Sequence, residues 1–275
     1  AATALSNIGG KTSGAVTVTK AVKITGSTAD LTNTMVSGSS SVTAGTALVT
    51  VSDAAFASSS TAIAATDLSN IGGKTTGAVT LQNKVRIQGS QSEVATALVG
   101  DSSVAASQGN TEARVTTAVN VNQGEEIAGV NNIQGIFASG VSDSLSSLAS
   151  GGNSTAKLNT ITGDDGDVAI TVSDSAFTTS NATLTAADLI AVGGATTGTV
   201  TVTNAVKISG DTSQLTNTLV SGSSSVTASS ALVTVSDAAF TTSNATIAAT
   251  TLSDIGGKTS GAVTVTKAVK ITGAT

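Results

Sequence analysis

The sequence predicts a mainly β protein: a parallel β-solenoid built from units of about 31 residues, paired into 63-residue double repeats. Three observations predict it. The chain repeats itself, each repeat alternates apolar and polar residues with period two, and large side chains are nearly absent.

The repeat comes first. LSNIGGKTSGAV at 5–16 returns as LSNIGGKTTGAV at 68–79, LIAVGGATTGTV at 189–200 and LSDIGGKTSGAV at 252–263. A second string, VTVSDAAF at 49–56, returns as ITVSDSAF at 170–177 and VTVSDAAF at 233–240. The steps are 63 residues or about twice that, so a divergent copy lies between the halves. The chain reads as one continuous array over residues 1–275. Its repeats are 1–63, 64–126, 127–184 (divergent), 185–247 and 248–275 (partial). Each repeat is internally double. Leu31, Leu68, Val94, Ile127, Leu189, Leu215 and Leu252 form a series of apolar residues, most of them following an acidic or amide residue.

Within a unit, Val16, Val18, Val22 and Ile24 alternate with Thr17, Thr19, Lys23 and Thr25, and Leu48–Val51 reads as a further strand. Val, Ile and Thr suit a pleated, half-buried surface. Gly9-Gly10, Gly26-Ser27 and Ser37-Gly38-Ser39-Ser40 supply turns. The segment Asp30–Val36 is too short for an independent helix and is expected to form one capped helical turn.

Tandem small β-sandwich domains are the alternative. Immunoglobulin-like sandwiches need about 100 residues, more than the 63-residue period offers, and no linker-like stretch separates the repeats. A solenoid needs no linkers, because each repeat buries its face on the next. About nine units spaced roughly 4.8 Å apart would make a rod of roughly 40 Å, with Val and Ile ranks inside and Thr and Ser ranks outside. Phe56, Phe177 and Phe240 occupy equivalent positions and are expected to stack on one edge as plugs at a corner. The stretch Gln108 to Asn159 departs from the pattern and carries Glu112, Arg114, Glu125, Glu126 and Phe137. It is expected to bulge as an insertion and to be the place for a partner contact.

Composition excludes whole classes of function. The chain has no His, Cys, Trp, Tyr or Pro, and 1% aromatic residues. The commonest general base, the usual transition-metal ligands and any disulfide framework are therefore absent. No stacking platform for bases or sugars exists. A net charge of −5 disfavours nucleic acid and anionic membranes. Apolar runs are only a few residues long, so no membrane span is expected. Low charge with mean hydropathy of +0.29 argues against disorder. No initiator Met or signal-like start is present, which suits a removed export signal or an excerpt of a longer chain. Both termini fall near unit boundaries without an atypical cap. The expectation is that further repeats continue the array or that subunits join end to end.

Candidate sites are few. Asp164, Asp165 and Asp167 form the one dense acidic cluster and are candidate calcium ligands, although a solvated turn explains them as well and the EF-hand spacing is lacking. No cofactor is otherwise required. Ser52-Asp53, Ser173-Asp174 and Ser236-Asp237 each end a strand and read as turns in which Asp bonds the following amides. Lys20, Lys23, Lys267 and Lys270 stand beside threonines on alternating strands and read as a solvated face. Asn153-Ser154-Thr155, Asn181-Ala182-Thr183 and Asn244-Ala245-Thr246 fit the glycosylation acceptor pattern. No Ser or Thr has a His to activate it, so no enzymatic site is expected.

The repeats GAVTVTKAVKITGSTADL and LSNIGGKTSGAVTV resemble those of large repetitive cell-surface proteins, of adhesin or filament type, from aquatic bacteria and particularly cyanobacteria. The resemblance covers most of the chain outside roughly 105–160. It implies an extracellular, cell-surface location and a structural or adhesive role, and it carries over no functional residues. The expected function is a structural repeat protein that self-associates into a homo-oligomeric filament or sheet, with glycans as further candidate partners. A stalk segment of a large adhesin and a phage or bacterial fibre component are the alternatives.

Overall fold

The segments that carry the repeat's Leu and Ile residues are helices. Ala2–Gly9, Ala65–Gly72, Ala186–Ala195 and Ala249–Gly256 occupy the LSNIGG positions. Thr28–Leu31, Gln91–Leu98 and Thr212–Leu215 occupy the intervening positions. A computed structural model describes residues 1–38, 42–57, 62–100, 104–109, 111–179, 183–222, 226–242 and 246–273. Among the described residues there are ten α-helices, with 32% helix against 26% strand, and four parallel sheets of four strands each.

The protein is therefore α/β. The expected mainly β solenoid is corrected, and so is its alternative of tandem sandwiches. The physical reason lies in the length of the helices. Each of the ten has four to ten residues, too short to persist alone. They persist because each buries one edge. Leu68 and Ile71, Leu189 and Val192, and Val94, Ala97 and Leu98 sit three or four residues apart and are buried. Two apolar residues in an eight-residue Ser/Thr-rich segment fit a strand as well as a helix, so periodicity alone does not separate them. Gly9-Gly10, expected to be a turn, closes the first helix. Gly10 caps it with an ordinary right-handed φ of −68°. Ser39 and Ser40 of the other expected turn lie outside the described residues.

Local side chains start the helices. Ser27 accepts the Asp30 N–H, Thr155 that of Leu158 and Thr185 that of Asp188. Ser90 with Glu93 and Asp211 with Gln214 form reciprocal capping boxes. The Ser90 amide, and secondarily its hydroxyl, hold the Glu93 carboxyl below the usual glutamate value. A depressed folded value gives stability that is complete above the unfolded glutamate value and fades as pH falls through the folded one. The gap in urea midpoint between the native chain and Glu93→Ala should therefore narrow between neutral pH and about pH 3. A gap that widens on acidification would contradict the capping role.

The described residues form two compact units: Ala1–Ala118 with Gln123–Ser139, and Val119–Asn122 with Gly140–Thr275. The first unit holds two four-stranded parallel sheets. One runs Lys23–Gly26, Leu48–Val51, Val79–Leu81, Val104–Ala106, and the other Ile63–Ala64, Arg86–Gly89, Thr111–Val115, Ile133–Phe137. The second unit repeats the plan. One sheet runs Val141–Asp143, Ile170–Val172, Val200–Val202, Val226–Thr227, and the other Leu184–Thr185, Lys207–Gly210, Leu232–Val235, Val263–Val265. Neighbouring strands belong to successive rungs of chain. Ile24 pairs with Val49, Val49 with Val79 and Val79 with Val104, and all four are buried. Thr25, Thr50 and Thr80 form the rank on the opposite face. Parallel strands need a crossover between them, and the short helices supply it.

The stretch 108–159 is not an insertion. Thr111–Val115 and Ile133–Phe137 pair in full register as rungs of the first unit. Phe137 is buried and Glu112 is ion-paired to Arg86 at 2.6 Å. The irregular part is a two-stranded antiparallel hairpin, Ala149–Ser150 with Asn153–Ser154. Gly151 and Gly152 join it at φ +62° and +77°, the positive pair that a two-residue hairpin loop requires.

Candidate functional site

The side-chain chemistry of this protein is concentrated where one rung meets the next. The motif Thr-(Ser/Thr)-Gly, which closes each GGKTSG-type string, makes the first contact. The Thr75 hydroxyl donates to the Ala47 carbonyl at 2.6 Å and accepts the Gly77 N–H at 3.0 Å. Thr196 does the same with Val168 and Gly198, and Thr259 with Ala231 and Gly261. The residue between adds a backbone bond from Thr76 to Gly45, from Thr197 to Gly166 and from Ser260 to Ser229. Each hydroxyl thus satisfies a carbonyl just ahead of a strand on the preceding rung and fixes the following turn.

The glycine of this motif has its own reason. A Cβ on Gly77 would overlap the Ala47 carbonyl, with the carbonyl carbon only 2.7 Å away. The same carbonyl approach occurs at Gly198 against Asp167 and at Gly261 against Ala231. None of the three has a positive φ, so backbone proximity is the whole constraint.

The second contact is made by the Ser-Asp pairs. Their aspartates reach amides on another rung, although Asp143 also accepts the N–H of Ser144, the residue that follows it, at 2.8 Å. Asp53 accepts the Thr28 N–H at 2.7 Å and the Thr28 hydroxyl at 2.8 Å, 25 residues upstream. Asp237 accepts the same two groups of Thr212 at 2.8 and 2.9 Å. Asp174 takes the Leu145 N–H and Asp143 the Val121 N–H. Each carboxylate reaches the first turn of a helix on another rung, where unpaired amides favour an anion. Asn83 and Asn204 then donate to the carbonyls of Asp53 and Asp174, both at 2.7 Å.

The third contact is aromatic. The Arg86 guanidinium lies 3.7 Å from the Phe56 ring centre, and the Lys207 and Lys270 ammonium groups lie 5.3 and 5.5 Å from Phe177 and Phe240. The three phenylalanines expected to plug a corner each carry a cation from 30 residues downstream, a favourable contact even where partly exposed.

The acidic cluster is spread out. Asp164 ends the helix Ala156–Asp164, Asp165 is buried at its C-cap and Asp167 is exposed. Among the described residues, no group of three or more His, Cys, Asp or Glu side chains converges on a common point. Lys20, Lys23, Lys267 and Lys270 are exposed. Asn153 is exposed on the hairpin, while Asn181 and Asn244 lie outside the described residues. No described helix is long and apolar enough to cross a membrane. Comparison with protein-family models, with curated proteins and with solved structures finds no match.

Sequence reasoning singled out the Ser-Asp pairs and the GGKTSG strings but assigned them to local turns. The contacts between rungs carried one signal, the fixed spacing of about 25 residues from Thr28 to Asp53 and from Thr212 to Asp237.

Proposed function

We propose that this protein is a non-enzymatic, extracellular structural repeat protein whose copies associate into a filament or sheet at the cell surface. The observation that carries this reading is the contact set between rungs. It recurs along the chain, built from Thr, Gly, Asp and Asn residues that bond another rung. The chain also reuses one surface in different settings. Residues 1–26 and 248–273 differ only at Ala4/Thr251 and Asn7/Asp254. Ile24 is buried under the rung that follows it, and Ile255 under the rung before it. A surface that accepts its own repeat on either side is suited to accept the same repeat from a second copy.

Purified chain examined by negative-stain electron microscopy and sedimentation velocity should give open-ended assemblies whose length grows with protein concentration. Particles that remain monomeric across the whole concentration range would defeat the proposal and favour a stalk that acts singly.

A further inference from the structure

Two cavities recur at one position of the repeat, one in each unit. The first, about 390 Å³, is floored by Met35, Val36 and Val42, with the exposed Lys74 on its rim. The second, about 510 Å³, has Leu219, Val220, Val226 and the exposed Lys258 in the same places. All nine lining positions of one map onto the other by a constant shift of 184 residues, although the chain between them diverges. Both volumes fall in the range of small-molecule sites.

Each cavity adjoins a π-helical turn, Thr32–Val36 or Thr216–Val220. Such turns are rare and concentrate at functional sites. The Ser37 N–H bonds the Thr32 carbonyl and the Ser221 N–H the Thr216 carbonyl, five residues back. The same serines lock the turn through their hydroxyls, which donate to the Asn33 and Asn217 carbonyls at 2.8 Å. The turn buries Met35 and Leu219 to the same degree, 6% exposed, so the two floors match in depth as well as in sequence position. The equivalent segment Gln91–Leu98 is an uninterrupted α-helix, so the widened turn is a property of these two rungs rather than of the repeat as such.

Charge selects the ligand. Neither Lys74 nor Lys258 makes an ion pair among the described residues, and no described acidic residue lines either cavity, in a chain whose net charge is −5. An aliphatic floor with one ammonium on the rim matches an apolar chain ending in a single negative charge. A sugar would find no aromatic face there. We infer that each cavity binds a small alkyl carboxylate, its chain on the aliphatic floor and its carboxylate on the lysine. This binding is independent of self-association.

Met35 is the sole methionine of the chain, so its methyl group labelled with carbon-13 gives one NMR signal inside the first cavity. Leu219 supplies a second, assigned methyl probe in the other. Sodium octanoate, added to the full chain below its micelle concentration, should shift both signals saturably, and octanol should bind more weakly. Lys74→Gln should weaken octanoate binding at Met35 by roughly twofold to fivefold, the contribution of an exposed ion pair, and leave Leu219 unchanged. Lys258→Gln should do the reverse. Both lysines are exposed, so the variants should fold, as circular dichroism will show. A Met35 signal that octanoate does not move overturns the inference. So does one that octanol moves equally, or that responds identically in Lys74→Gln.

Discussion

Gly77→Ala is expected to destabilise the first unit by about 1–3 kcal/mol, the usual cost of forcing a methyl group into filled space. The new Cβ would overlap the Ala47 carbonyl and lie 3.2 Å from the Leu48 nitrogen, both backbone atoms. A flexible side chain could swing away, but this backbone is pinned. The Thr75 hydroxyl and the Thr76 N–H bond the Ala47 and Gly45 carbonyls, and the Val49 N–H bonds the Ala78 carbonyl. Gly14 is the control, since it holds the same place in the motif. A Cβ there meets only the Thr12 hydroxyl, at an ordinary 3.5 Å. Neither glycine has a positive φ. Gly14→Ala should therefore be neutral or slightly stabilising, because alanine restricts the unfolded chain by about 0.4–1 kcal/mol. Urea unfolding followed by circular dichroism measures both. Hydrogen exchange should also quicken at Thr76 and Val49 in Gly77→Ala alone. Equal losses in the two variants would remove the steric explanation for this repeated glycine.

How much of this was legible in the sequence follows from the range of each interaction. The strands were legible because alternation is local: Val49, Thr50 and Val51 read as a strand by themselves and are one. The Val and Ile ranks were legible because a repeat of regular length puts like residues in register, as Val49 on Val79. Of the helices only the capped turn expected over Asp30–Val36 was legible, where Ser27 caps Thr28–Leu31; Ala65–Gly72 owes its existence to what covers Leu68 and Ile71 rather than to its own propensity. The divergent stretch misled for the opposite reason. Glu112 and Arg114 look like surface charges foreign to the repeat, yet both lie on a paired strand, with Glu112 held by Arg86. Pairing in a parallel sheet is made by the backbone, so a rung can change its side chains and keep its place. The aspartates were found but misassigned, because a local reading looks for an amide two residues away and the actual one is 25 residues upstream.

Those aspartates give the other large expected effect. Asp53→Ala should cost about 1.5–3 kcal/mol, the range for hydrogen bonds to a charged group. Two donors depend on this carboxylate, the Thr28 N–H and the Thr28 hydroxyl. Thr28 is only 6% exposed, so water cannot replace the lost acceptor at full strength. Asp174→Ala should cost less, because Asp174 serves one helix amide, that of Leu145. Asp53→Asn should fall between the native chain and Asp53→Ala, since the amide keeps an acceptor oxygen without the charge. The decisive measurement is a double-mutant cycle of Thr28→Val with Asp53→Ala. Valine has the shape of threonine without its hydroxyl, so the cycle isolates the hydroxyl–carboxylate bond and should return a coupling of about 1 kcal/mol. A coupling near zero, or an Asp53→Ala variant as stable as the native chain, would mean the carboxylate only fills space. The helix Thr28–Leu31 would then have to be held by packing alone, and the recurrence of this contact at Asp237 and Thr212 would need another cause.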